Sequence, residues 1–294
     1  MRISSNNVFE KVYYVTGASK GLGLCLVNKL LESGFNVAAT SREKKQLEEN
    51  VDSKYVNGLN FIALQVDLSN EESIKQSIKD TIKKFTRIDV LINNSGYGTL
   101  GTIEELTDSV IRKNYDCNVF GVINTIRSAL PHMRENKYFL EGPRIINISS
   151  IKGFYGGFAA FSVYNSTKFA IEGLTESLSE DLKEFNIHVT TCKPGYFRTN
   201  FLHKDTFVGP VSPIQEYTKV REVLGFHENQ INDNQKGDPN KGALAIIEMS
   251  LLEKPPLHFF LGPDTLILAK KKIESIQNDI QSCLNLSKST NFDE

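Results

Sequence analysis

The chain of 294 residues carries 34 Lys+Arg against 35 Asp+Glu, a formal charge of −1, and 40% of it is hydrophobic. This balance gives no footing for nucleic acid or an anionic membrane as a partner, and no apolar run reaches the roughly 18–20 residues that span a bilayer. The polar stretch Met1 to Lys11 lacks the core of a signal peptide, and Cys25, Cys117, Cys192 and Cys283 form no Cys-x-x-Cys pair, so a disulfide framework and a zinc site are unexpected and a cytoplasmic protein is expected.

Short apolar runs alternate with stretches of helical period, which predicts a Rossmann-type doubly wound parallel α/β sheet of about seven strands with helices on both faces. The first strand is Val12–Val15. Leu22, Leu26, Leu30 and Leu31 then mark a helix that Gly34 closes. Strands follow at Asn36–Ala39 and Phe61–Val66, and Ile74, Ile78, Ile82 and Phe85 line a second helix. Val90–Ile92, a helix over Asn114–Met133, Arg144–Ile148 and His188–Cys192 come next. Periodicity weakens from Phe201 to Lys241, a length typical of a lid or binding loop. A short helix near Gly242–Leu252, a strand His258–Leu261, a helix from about Pro263 to Leu284 and a tail Asn285–Glu294 complete the chain. We read 1–294 as one domain, with a substrate-binding flap at about 196–241 and a C-terminal helix and tail at about 263–294.

Three positions on this frame carry chemistry. Between the first strand and the first helix, Gly17, Gly21 and Gly23 in Thr16-Gly17-Ala18-Ser19-Lys20-Gly21-Leu22-Gly23 would let the backbone turn sharply against a pyrophosphate at a helix N-terminus. The spacing is not that of the commoner dinucleotide turn, and a glycine turn with no ligand is its bland reading. At the end of the second strand no acid precedes Glu43. Ser41 and Arg42 stand there instead, and with Lys20 they suit the 2′-phosphate of NADP better than the bare ribose of NAD; otherwise they are ordinary solvated charges. Finally, Tyr164 and Lys168 sit one helical turn apart, so an ammonium neighbours a phenol and favours its ionised form. Such a pair also arises by chance in a chain with ten tyrosines. Its context is Ser149 and Ser150 at a strand end, where ligands collect in open sheets and where a plain turn or N-cap is the alternative.

Together these residues resemble the short-chain dehydrogenase/reductase family in its single-domain branch, over about residues 10–200. The glycine turn has that family's own spacing. Asn93-Asn94-Ser95-Gly96 is similar to its Asn-Asn-Ala-Gly motif, and Pro194-Gly195-Tyr196-Phe197-Arg198-Thr199 to its nicotinamide-contacting segment. The region Leu261–Leu284 with its tail resembles hydroxysteroid and retinol dehydrogenases. The resemblance implies Asn118, Ser150, Tyr164 and Lys168 as catalytic residues. It implies NADP held by Gly17, Ser19, Lys20, Gly21, Leu22, Gly23, Ser41, Arg42, Asp67, Leu68, Asn94, Ser95, Gly96, Tyr164, Lys168, Pro194, Gly195, Phe197 and Thr199. Tyr164 would transfer the proton, Lys168 would lower its pKa, Ser150 would polarise the substrate oxygen, and Asn118 would hold a water behind Lys168. Ser150 stands 14 residues before Tyr164, one more than the family's usual spacing, which Gly156-Gly157 could absorb; Ser149 is the other candidate.

The expected activity is NADP(H)-dependent interconversion of a carbonyl and an alcohol on a small molecule. Phe154, Tyr155, Phe158, Phe161, Phe197 and Phe201 suggest an apolar pocket and a lipophilic substrate, though core packing would use the same residues. Family analogy implies a homodimer or homotetramer. His203, His227 and His258 have no ligand-like spacing, so no metal is expected and they read as surface or loop residues. A non-catalytic dinucleotide-binding sensor or scaffold is the alternative. Epimerase or dehydratase chemistry on a nucleotide sugar would need another glycine spacing and a larger C-terminal region.

Overall fold

Tyr13 and Val15 point to one face of the first strand and Tyr14 to the other, and all three are fully buried. A strand covered on both sides requires this. In the computed structural model, which describes residues 11–202, 207–232 and 234–292, seven such strands form one parallel sheet. From one edge to the other they run Phe61–Gln65, Asn36–Ser41, Val12–Val15, Val90–Asn93, Arg144–Ile148, His188–Pro194 and His258–Leu261. The chain winds outward in one direction from Val12–Val15, then crosses back and winds the other way from Val90–Asn93. The crevice beyond the C-terminal ends of those two strands is where ligands bind in such sheets.

Leu26 and Leu30 of helix Gly21–Glu32 and Ile246 and Ile247 of helix Pro239–Ser250 pack on one face. Ile74 and Ile78 of Glu71–Phe85, Ile126 of Gly121–Arg134 and Ile171 of Ser162–Asp181 cover the other. Each such side chain contributes about 1.5–3 kcal/mol by leaving water. The first helix ends as Gly34 predicts: with φ +86° it lets its own N–H bond Leu31 O (3.0 Å) and the Phe35 N–H bond Leu30 O (3.1 Å). Asn70 caps Glu71–Phe85 by accepting from the Ser73 N–H at 3.1 Å.

Several local expectations need correction. The helix expected over Asn114–Met133 starts at Asp108, capped by Thr107, and is interrupted by a π-helical turn, Asp116–Phe120, before Gly121–Arg134. The flap is not featureless. Phe207–Val208 pairs with Gly98–Thr99 in a small second sheet, and helix Thr218–Phe226 passes into a π turn, His227–Ile231. The next helix begins at Pro239, earlier than expected, because Asp238 caps it and Pro239 occupies its first turn. Part of the tail, Leu284–Lys288, is a short exposed helix. His203 lies outside the described residues.

Candidate active site

The glycine turn is braced from across the crevice. The Thr16 hydroxyl oxygen accepts from the backbone N–H groups of Asn94 and Ser95, each at 3.0 Å, and the Asn94 amide donates to Thr16 O and Gly17 O, each at 3.0 Å. Gly17 and Gly21 have φ of +65° and +58°, which side chains rarely adopt. A Cβ on Gly17 would stand 2.6 Å from Ser95 Oγ, and one on Gly23 would strike the Gly17 carbonyl oxygen. The turn therefore forms a cradle that any Cβ would fill. Helix Gly21–Glu32 opens into it with no side-chain cap at Lys20 and no acid in its first turn, so its first N–H groups are free for an anion. These features fit a dinucleotide pyrophosphate.

The cradle forms one end of a cleft of about 810 Å³, and every residue that the resemblance implies for cofactor binding lines it. Their roles there differ. Asn94 spends its side chain on the turn, so it positions the cradle. The Phe197 ring packs against Gly237 and Gly242. Asp67 receives the N–H and hydroxyl of Ser69 at 2.9 and 2.7 Å, which hold its carboxyl below the usual range. Lys20 and Arg42 are exposed at the cleft, with no acid at the end of strand Asn36–Ser41.

Tyr164, Ser150 and Lys168 line the opposite end. Ser150 follows strand Arg144–Ile148, and its hydroxyl is near enough to the Tyr164 phenol to favour the ionised form. Lys168 is buried beside them, its Nζ 5.9 Å from the Tyr164 ring centroid and donating to Ile148 O at 2.9 Å. Burial pushes the phenol above its ordinary value of 10, and the neighbouring Ser150 hydroxyl opposes that shift. Lys168 donates to the Ile148 carbonyl here and not to the phenol, and burial lowers its own pKa to about 8. Asn118 does not line the cleft. It lies behind Gly96 in the π turn, donating to Tyr97 O (2.9 Å) and Thr167 Oγ1 (3.1 Å) and accepting from the Tyr97 N–H (3.1 Å). π turns of this kind recur at functional sites.

The two serines part company. Ser149 is buried and turns to the Lys168 backbone oxygen at 3.4 Å, while Ser150 Oγ also accepts from the Lys152 N–H at 3.1 Å. We expect Ser150→Ala to lower kcat by roughly 10- to 100-fold, the worth of one polar contact in a closed site. Ser149→Ala should act on thermal stability instead. Steady-state kinetics of the two variants checks this; equal kinetic losses would contradict the assignment.

The aromatic residues divide. Tyr164 lies with Phe201 and Phe207 at centroid distances of 6.0 and 6.5 Å, and Phe207 with Phe161 at 6.1 Å, forming an apolar wall. Phe154 instead packs edge-on to Phe260. The flap adds residues that sequence reasoning passed over. His227, expected at the surface, is buried and pairs with the Tyr196 hydroxyl at 2.8 Å. Asp264 accepts from the Tyr196 N–H at 3.0 Å and so braces the Pro194–Tyr196 turn. His258 comes together with Glu172 and Glu176, their ligand atoms all within 4.8 Å of one another. None of the three lines the cleft, and Glu172 is already ion-paired with Lys193 at 2.8 Å.

Comparison with known proteins places the sequence and the fold in a family. A family profile described as short chain dehydrogenase matches residues 11–206. An uncharacterised oxidoreductase of Schizosaccharomyces pombe is 32% identical over 281 residues, covering 95% of this chain and 91% of the relative. A 3-ketodihydrosphingosine reductase of Bacteroides thetaiotaomicron is 31% identical, covering 94% and 97%. Among solved structures, a short-chain dehydrogenase from Streptomyces avermitilis superposes with a TM-score of 0.84 at 32% identity, covering 96% and 99%. ElxO with NADP bound gives 0.69 at 26% identity, covering 87% and 99%. A Burkholderia phymatum protein in complex with NAD gives 0.79 at 20% identity, covering 93% and 96%. Similar folds thus hold either dinucleotide.

Proposed function

This chain belongs to the short-chain dehydrogenase/reductase family, and from that premise we propose that it is an NADP(H)-dependent oxidoreductase that interconverts a carbonyl and an alcohol on a small lipophilic substrate. The observation that carries this reading is the convergence on one cleft of a glycine cradle with free helix N–H groups and, at the other end, a serine, a buried phenol and a lysine.

The cradle would hold the pyrophosphate, and Lys168, Pro194, Gly195 and Thr199 the nicotinamide end. When bound, the cofactor supplies the hydride. The protein's task is the proton and the geometry. Ser150 donates to the substrate oxygen and holds the carbonyl at the phenol. Tyr164, kept neutral by burial, gives its proton to that oxygen as negative charge develops. Lys168 places a cation near the resulting phenolate, and Asn118 holds the backbone behind it. The apolar wall of Phe201 and Phe207 supports a lipophilic carbonyl compound.

NADP is preferred over NAD here because of this chain's own residues: two exposed cations, Lys20 and Arg42, and no acid to meet a ribose hydroxyl. Arg42→Asp is expected to lower the NADP/NAD ratio of kcat/KM by at least roughly 10- to 100-fold, the worth of a lost charge-assisted hydrogen bond. An unchanged ratio would refute the preference. NADPH oxidation with a panel of aldehydes and ketones tests the function as a whole. Tight NADPH binding with no turnover of any carbonyl would favour a sensor or scaffold.

A further inference from the structure

The cleft contains a lysine whose amine meets aromatic faces and no hydrogen-bond acceptor. Lys152 lies in the 3-10 turn Ile151–Gly153, directly after Ser150. It is buried and lines the cleft, and among the described residues it is the only lysine with a buried Nζ lacking a hydrogen-bond partner. The Nζ sits 3.6 Å from the ring centroids of both Phe158 and Phe161 and 5.8 Å from that of Tyr196. Ring faces attract a cation but accept its N–H bonds poorly. An ammonium held away from water without acceptors is costly, and a fold keeps one where something supplies them. No carboxylate does so here: burial alone brings the Lys152 pKa down to about 7.

A second unmet group shares the cleft. Gln235 is 4% exposed, and neither its amide nitrogen nor its amide oxygen has a partner, although its backbone oxygen receives Arg198 Nε at 3.1 Å. His227 does not answer Lys152 either. Its Nδ1 donates to Val223 O at 2.8 Å, which leaves Nε2 to accept from the Tyr196 hydroxyl at 2.8 Å. Beside the reacting phenol the cleft is lined by the rings of Phe201 and Phe207, and Phe161 packs behind Phe207 and against the Lys152 ammonium.

We propose that Lys152, with Gln235, is a specificity-determining subsite for an anionic oxygen group, so that the substrate reduced at Tyr164 is a carbonyl compound bearing a carboxylate beyond an apolar body. This rests on the oxidoreductase reading above and narrows its substrate class. A carboxylate supplies the acceptors that the buried N–H groups lack, and a charge-assisted hydrogen bond in a dry site is among the stronger polar contacts. The same ammonium repels a carbonyl compound that carries a cationic group.

The test pairs an oxo-carboxylic acid of medium chain length with its neutral methyl ester, using NADPH and the Lys152→Met, Lys152→Arg and Gln235→Leu variants. The wild-type protein should prefer the acid. Lys152→Met should lower the acid-to-ester ratio of kcat/KM by roughly 10- to 100-fold, Lys152→Arg should restore most of it, and Gln235→Leu should lower it less. A ratio equal in wild type and Lys152→Met would overturn the proposal while leaving the oxidoreductase reading standing. Calorimetric binding of octanoate to the NADP complex needs no turnover and separates the two ideas. Octanoate affinity that falls in Lys152→Met supports the subsite even if no carbonyl is reduced, and equal affinity overturns it.

Discussion

Tyr164→Phe is expected to lower kcat for carbonyl reduction by roughly two to four orders of magnitude, the usual worth of a positioned acid, with NADPH affinity unchanged. The substitution removes one hydroxyl and little else. The ring keeps its place against Phe201 and Phe207, and Ser150 keeps the Lys152 N–H as a partner at 3.1 Å. The stability change should therefore stay near the roughly 1 kcal/mol of a single neutral hydrogen bond. The raised pKa of this phenol suits the reductive direction, since a donor must hold its proton until the substrate oxygen becomes basic. Stopped-flow NADPH binding and steady-state turnover on the same preparation check both halves. Turnover within about threefold of wild type would remove Tyr164 from the proton-transfer step.

Lys168→Met should be nearly as damaging to activity, by roughly 100-fold or more in kcat/KM, because the cation that stabilises the phenolate is gone while the apolar stem remains. It has a second consequence that inactivity alone does not produce. The Lys168 pKa lies at about 8 in the folded protein against an ordinary 10.5. Between those values the unfolded chain binds more protons than the native one, so this residue makes stability rise with pH across that window. Below about 8 the penalty of the buried charge is fully present, and above 10.5 it is absent; the span is worth roughly 3 kcal/mol. Urea unfolding of wild type and variant at neutral pH and near pH 10 should show wild type gaining on Lys168→Met as pH rises. Parallel curves would mean that the lysine is not charged and buried as described.

The main sheet was legible because its strands are runs of apolar residues covered on both faces, a pattern that composition alone enforces. Gly34 and the glycine turn were legible because left-handed backbone and close approach select glycine. What escaped is set by contacts distant in sequence. The π turn Asp116–Phe120 holds Asn118 between Tyr97 and Thr167, and nothing local in Asp-Cys-Asn-Val-Phe predicts it. Phe207–Val208 is a two-residue strand created by its pairing with Gly98–Thr99. Helix Thr218–Phe226 buries only Val220, too little apolar surface to leave a clear period. Asp238-Pro239, by contrast, was a readable helix start that the weak period around it obscured. His227 and Lys152 look like surface residues in sequence, and only the fold of the flap over the loop after Ser150 buries them.

Within the candidate site, spacing and residue type pointed to the phenol, the lysine and the cradle. They did not reveal that Lys168 faces Ile148 O, nor that Asn94 is occupied with the glycine turn. The first follows from helix Ser162–Asp181 packing beside the end of strand Arg144–Ile148, the second from the meeting of the two halves of the sheet.

The most direct test follows deuterium from the C4 position of labelled NADPH into the alcohol product, by mass spectrometry, with wild type and Tyr164→Phe at equal cofactor occupancy. Label on the carbinol carbon with wild type, and loss of nearly all of it in the variant, is the predicted result. Undiminished label transfer without the phenol hydroxyl would contradict the account.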